Sequence, residues 1–211
     1  MKTITVLVDN DSWILPYAEN LVRELSGMGF EARLVREHEK IESGWINFML
    51  GCVKIMPENI LKKNTHNMVV HESDLPKGKG FAPMTWQILE GKNKIPICLL
   101  EATKDVDSGK IWLRDTIELK GDELSGEWRL LQGLKTIELC LNFVKKHMTL
   151  KPELQVGESS YYKKRMPEDS ELDIDKSIKD QMSLLRVVDN ESYPAFFYVN
   201  GNKYIVKIYK S

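Results

Sequence analysis

The sequence predicts an α/β protein built on a doubly wound, mostly parallel sheet. Three observations carry this: short continuous apolar runs rich in β-branched residues, helical apolar spacing between them, and connections of only a few residues. Runs without polar alternation are strands buried on both faces, as a parallel sheet requires.

Thr3 to Val8 (TITVLV) is the first such strand. Ile14, Ala18, Leu21, Val22 and Leu25 then recur at helical spacing, with Asp11 or Ser12 placed to cap the start and Gly27 and Gly29 to stop it. Ala32 to Val35 reads as a second strand and Trp45 to Gly51 as a third. A brief helix over Pro57 to Leu61 leads to a fourth strand at Met68 to Val70. A helix from Pro83 to Glu90, a strand at Ile95 to Glu101 and an alternating strand at Ile111 to Leu119 follow. The long helix from Asp122 to His147 carries Leu124, Trp128, Leu131, Leu134, Leu141 and Val144 on its buried stripe. At Lys151 the texture turns polar, with six acidic residues between Glu158 and Asp175 and no apolar period. Ile178, Met182 and Leu185 mark one more helix, and AFFYV and KYIVKIY flank Asn200-Gly201, a type I′ hairpin signal. The expected organisation is a Rossmann-like domain over residues 1–150 and a small α+β appendage over 151–211 that ends in a β-hairpin.

Composition narrows the class. The chain has 211 residues, 42% hydrophobic and 29% charged, and 30 basic against 31 acidic side chains leave a net charge of −1. No basic surplus exists to follow a nucleic-acid backbone. Cys52, Cys98 and Cys140 lie far apart in apolar surroundings and match neither a disulfide framework nor metal-ligand spacing, so no metal is expected and buried thiols in a reducing compartment are. Asp9, Asn10 and Asp11 interrupt the first apolar run where a signal peptide needs a longer core, and no run approaches the about 18 residues of a membrane span. A soluble, cytoplasmic protein without membrane partners is expected.

Ligands of doubly wound sheets sit beyond the carboxyl ends of the strands, here after Val8, Gly51 and Val70. The stretch VVHESDLPKGKGFAP places His71 at that edge on a glycine-containing loop. A structural capping histidine would look the same if it stood alone. Thirty-six residues on, after IPICLLE, the acidic turn Asp105-Val106-Asp107-Ser108-Gly109 reaches the end of another strand. A carboxylate there can hold and polarise His71, the base-and-orienter pair of acyl transfer.

The pattern HxSxLPxxxGxxP, here His71, Ser73, Leu75, Pro76, Gly80 and Pro83, followed by D-[ST]-G at Asp107, Ser108 and Gly109, resembles the 10-formyltetrahydrofolate-dependent formyltransferases. These include glycinamide ribonucleotide, methionyl-tRNA and sugar-nucleotide N-formyltransferases. Gly51 to Met56 resembles the family's G-x-x-x-I-L segment, whose backbone lines the pterin pocket, and the resemblance covers residues 1–147. HESDLPKGKG and RMPEDSELD (Arg165 to Asp173) look most like the sugar-nucleotide enzymes of surface-glycan pathways, in particular the stand-alone pseudaminic-acid type.

The resemblance implies the formyltransferase fold, 10-formyltetrahydrofolate as co-substrate and a nucleotide-linked amino sugar, with UDP as the nucleotide, as acceptor. It implies that His71 stabilises charge on the formyl oxygen and relays a proton, and that Asp107 fixes its tautomer. The pterin would be gripped near Lys54 and Met56 and by the loop carrying Ala102, Lys104 and Val106. One departure stands out: the family's Asn two residues before the histidine is Val69 here. Asn67 shares that strand face but lies about 7 Å further back by the strand rise. The oxyanion is then held by protonated His71 with a backbone or Ser donor, or the chain is catalytically weakened.

For the acceptor, Asn10, Ser12 and Trp13 follow the first strand where α/β folds bind phosphate, although capping and core packing explain them equally. Ser73, Lys77 and Lys79 face the same crevice, and the two lysines are placed to meet a diphosphate or to be solvated on a loop. Arg165, Glu168 and Asp169 belong to the sugar-enzyme motif or to an acidic connecting turn. The aromatics Phe196, Phe197, Tyr198 and Tyr204 read as sheet or homodimer surface, because no basic residues interleave with them. Residues 151–211 carry ten basic and ten acidic side chains, which disfavours a tRNA acceptor. Glycinamide ribonucleotide formylation leaves the appendage unexplained, and a non-catalytic folate or sugar-nucleotide binding module is the reading that Val69 prompts.

Overall fold

The structure, a computed structural model, describes residues 2–211. Its first half builds β1 (Thr3–Leu7), α1 (Leu15–Gly27), β2 (Glu31–Val35), β3 (Gly44–Met49), α2 (Glu58–Leu61) and β4 (Asn64–His71). A two-residue strand β5 (Lys79–Gly80) and α3 (Pro83–Leu89) precede β6 (Lys94–Glu101), β7 (Ile111–Glu118) and α4 (Ser125–Lys146). Then come β8 (Tyr161–Tyr162), α5 (Met182–Val187), β9 (Ala195–Val199) and β10 (Asn202–Val206).

Six strands form the central sheet in the order β2-β1-β3-β4-β6-β7. The first four are parallel, whereas β6 runs antiparallel to β4 and β7 to β6. A mixed sheet of this kind is a parallel core with an antiparallel edge. Ile4, Val6, Ile46, Phe48, Met68 and Leu99 pack in one cluster with Ala18, Leu21, Trp128 and Phe143 of the two long helices. The opposite face is covered more thinly, by Leu7, Val35, Ile41, Met49, Met56 and Ile60. It also carries Thr5, Asn47 and Asn67, which lie in register on β1, β3 and β4.

Several expectations shift. Helix α1 has Ile14 at its N-cap with no side-chain cap, so neither Asp11 nor Ser12 caps it; Pro16 in the first turn removes an amide that would otherwise need an acceptor. On α4, Leu134 is 55% exposed and the buried stripe runs instead through Gln132, Gly133, Thr136, Ile137 and Cys140. Gly133 sits there because α1 approaches so closely that a Cβ would meet the Tyr17 ring at 2.5 Å. Ile178 is 65% exposed, and the predicted last helix is a short 3-10 turn followed by α5. The hairpin forms as predicted: β9 and β10 pair antiparallel around Asn200 (φ +51°) and Gly201 (φ +80°).

The appendage is docked by buried polar groups. Trp128 Nε1 donates to Arg186 O at 2.9 Å, and the buried Arg186 guanidinium meets Glu123 and Asn93. Arg129 pairs with Asp189 at 2.7 Å. Among the described residues, no helix is long and apolar enough to cross a membrane.

Candidate active site

His71 is the last residue of β4 and is buried. The chain then loops through Ser73 to Gly80 and returns over the imidazole. That return needs positive φ at Gly78 (+72°) and Gly80 (+95°), and at Gly80 a Cβ would meet Tyr162 O at 2.5 Å. Gly78 O lies 2.8 Å from His71 Nε2, so Nε2–H donates to it. On the other side His71 Nδ1 is 3.7 Å from Asp107 Oδ1. Both ring nitrogens therefore face oxygen acceptors; a neutral ring donates at one and an imidazolium at both.

Asp107 is held in the left-handed region, φ +50°, and its Oδ2 accepts the Gly80 amide at 2.9 Å. Among the described residues, Oδ1 accepts no hydrogen bond. The structure thus brings together the two residues that the sequence placed 36 positions apart, with a gap beside Nδ1 that is longer than a hydrogen bond. Lys79, read as a solvated or phosphate-facing loop residue, is only 6% exposed, and its Nζ donates to Ser108 Oγ at 2.8 Å. It holds the Asp107 turn against the His71 loop. Ser73 is 2% exposed and its Oγ has no partner. Lys77 is exposed.

Val69 points to the same side of β4 as His71 and packs between two apolar clusters, against Leu100 and Met49 among others. Asn67 does not take its place. The Asn67 amide donates to Leu61 O at 2.8 Å and its Oδ1 faces Asn47 at 3.5 Å, some four residues of strand away from the imidazole. Its role is to tie α2 to the sheet.

The pocket loops sit at the ends of β1 and β3. Asp9, with its side chain fully enclosed, accepts hydrogen bonds from the amides of Val53 and Lys54 and from Asn10, and meets His38 Nε2 at 3.1 Å. Burial alone would raise this carboxyl, but the hydrogen bonds from Asn10, Val53, Lys54 and His38 outweigh it and hold it below the usual carboxylate range. The Asn10 amide donates to Gly51 O at 2.7 Å, so it anchors the loop. Trp13 also packs, edge-on to Tyr17 at 5.9 Å and against the main core.

The Asp9 clamp carries a pH prediction. A carboxyl depressed in the folded state stabilises above the unfolded value of about 3.9 and loses that contribution as pH falls through the lower folded value. Asp9→Asn is therefore expected to lower Tm at neutral pH, and the melts of the two proteins should converge below about pH 4. A Tm gap that persists unchanged down to pH 3 would contradict this assignment.

On the loops after β3 and β6, Val53, Ile55 and Val106 expose their apolar side chains, while Met56 and Ala102 pack into the cluster with Leu7 and Met49. Lys104 stands on the same loop as Val106 and is exposed. Among the described residues, the main-chain amides of Ile55, Met56 and Lys104 have no hydrogen-bond acceptor. Free amides beside exposed apolar side chains fit a flat heteroaromatic with a donor-acceptor edge.

Sequence reasoning missed Glu72, Gln155 and Ser160. Burial pushes the Glu72 carboxyl up while neighbouring His71 pulls it down, and the group lies beside Gln132. Gln155 and Ser160 belong to the polar stretch after residue 150, which had no periodicity to mark it. Burial pushes the Cys52 and Cys98 thiols up to about 12 and raises Cys140 too, which favours the protonated form of each.

A methionyl-tRNA formyltransferase from Sulfurihydrogenibium is 26% identical over 147 residues, 68% of this chain and 47% of that protein. The chain spans about half or less of the length of the curated relatives it matches. Among solved structures, a methionyl-tRNA formyltransferase from Clostridium thermocellum superposes with a TM-score of 0.80 at 18% identity, covering 98% of this chain and 100% of that one. A sugar N-formyltransferase from a Shewanella species gives 0.69 at 15%, covering 99% and 97%. These likenesses establish a shared fold. The family model described as formyl transferase matches residues 30–129, the span from β2 into α4 that holds both His71 and Asp107.

Proposed function

We propose that the chain is an N-formyltransferase that moves a formyl group from 10-formyltetrahydrofolate to the amine of a nucleotide-linked amino sugar, with UDP as the expected nucleotide, in surface-glycan synthesis. The observation that carries it is the buried His71–Asp107 pair at the carboxyl end of β4. The folate supplies the formyl carbonyl. His71, oriented by Gly78 O, holds a proton at the edge of the gap, where it can neutralise charge developing on the formyl oxygen and pass to the departing nitrogen. Asp107 Oδ1 faces that gap and takes the proton that the attacking amine must lose, directly or through a water. Free amides at Ile55, Met56 and Lys104 are the groups that would hold the pterin edge.

The acceptor reading rests on the motifs around His71 and Arg165 and on the even charge of residues 151–211. Methionyl-tRNA remains the second reading, favoured by the names of several relatives. A homodimer through the β9–β10 hairpin belongs to the same proposal, supported by exposed Tyr198, Tyr204 and Ile205. Incubation with 10-formyltetrahydrofolate and a panel of UDP- and dTDP-amino sugars, read by mass spectrometry, tests the acceptor; no formylated product across the panel would sink it.

Val69 makes a separate prediction. A valine cannot donate to an oxyanion, so His71 is left with a backbone or serine donor, and Ser73, two residues on, has a buried hydroxyl without a partner among the described residues. One oxyanion donor is worth about 10²–10³ in kcat. Val69→Asn is expected to raise kcat at least roughly tenfold, with some loss of Tm because an amide replaces a packed methyl pair. An unchanged rate would leave the oxyanion to Ser73. Turnover by the unaltered chain distinguishes an enzyme from a binding module.

A further inference from the structure

The polar stretch after α4 does not lead away from the site. Glu153 exchanges both main-chain hydrogen bonds with Ile111 at the start of β7, each 2.8 Å. Gln155 Nε2 then donates to two carbonyls of the Asp107 turn, Asp107 O at 2.9 Å and Gly109 O at 2.8 Å. Five residues on, Ser160 Oγ accepts the Gly78 amide at 2.9 Å and Ser160 O accepts the Lys79 amide at 2.9 Å. β8 continues the contact, pairing in parallel with β5. Gly78 O is the acceptor of His71 Nε2. One segment therefore reaches both halves of the catalytic pair, Asp107 through its own carbonyl and His71 through Gly78.

The need for such a segment is local. A left-handed φ at a non-glycine residue persists only when its surroundings hold it, and Asp107 has one. The carbonyls of Asp107 and Gly109 converge on a single donor, and a carboxamide nitrogen has two hydrogens to satisfy both. Gln155 Oε1 is buried without a partner, so the side chain is kept in place by its donors alone. Exchanging the amide's oxygen and nitrogen would set three oxygens against one another, which fixes the orientation.

We propose that Gln155 and Ser160 are positioning residues, and that residues 153–162 form a strap that sets the His71–Asp107 distance. This rests on the reading of that pair as catalytic. Gln155→Met keeps length and removes both N–H donors. It is expected to lower kcat about 10²-fold, the cost of roughly 1 Å of misplacement, while KM for the formyl donor stays within about twofold and Tm nearly unchanged. The Gly80 amide, which donates to Asp107 Oδ2, should exchange its hydrogen at least about tenfold faster, because its protection follows local opening. Gln155→Lys, which returns N–H donors, should recover part of the rate. A Gln155→Met protein with wild-type kcat, or one that loses kcat while Gly80 stays fully protected, overturns the proposal. Should Gln155→Met not fold, Ser160→Ala carries the same test at the Gly78 amide. Exchange is read without turnover, so an inactive wild type would overturn the proposed function and leave the strap's geometry separately measurable.

Discussion

Replacing His71 with alanine is expected to lower formyl transfer about 10²–10⁴-fold, the range associated with a positioned proton-transfer group, or about 3–5.5 kcal/mol of barrier. The imidazole faces Asp107 Oδ1 across the gap, and the loop that encloses it is built around its bond to Gly78 O. Removing it deletes the proposed proton carrier and also frees Gly78 O. The rate loss should appear in kcat more than in KM, because the groups expected to hold the pterin lie on other loops. Circular dichroism and a thermal melt should show a folded protein. A folded His71→Ala variant with the wild-type rate would remove His71 from the chemistry.

Gly109→Ala is the second large effect, and it acts on the scaffold. A Cβ at Gly109 would overlap the Glu101 carbonyl oxygen at the end of β6 and crowd its carbonyl carbon at 2.7 Å. Both are main chain, so no side-chain rotation relieves the clash, and the turn itself must move. That turn carries Asp107 and is tied to Lys79 through Ser108. Forced overpacking typically costs about 1–3 kcal/mol, which for a chain of this length is a Tm drop of about 2–12 °C. Displacing Asp107 from the gap should lower kcat about 10²-fold as well. Retention of both Tm and kcat would show that the turn tolerates a different path and is not fixed by its neighbours.

The parallel half of the fold was legible because its strands are apolar on both faces and its helices keep one period. β4 was legible only at its end: Asn64, Thr65, His66 and Asn67 look like loop, yet they belong to the strand that pairs with β3, and His66 and Asn67 are held by Glu101, Asn47 and the aromatic rings of Trp112 and Phe143. That His71 and Asp107 meet was legible because each lies at or just beyond the end of a strand. Asn10 and Trp13 stayed open in the sequence, since the same residue types serve loop anchoring, packing and ligand binding. The burial of Lys79 was invisible, because it depends on Ser108 and Tyr161 arriving from distant parts of the chain. β8 has two residues and no period at all; only the loop it meets defines it.

The bonds between residues 153–162 and the two loops also bear on how such proteins can be recombined. A crossover placed at the texture change near residue 150 would hand the support of the His71 and Asp107 loops to a foreign sequence. A crossover beyond Lys163 leaves those bonds within one parent and exchanges only Arg165, α5 and the hairpin. The exchangeable module of this chain is therefore shorter than its composition indicates, and its natural joint lies on the far side of β8.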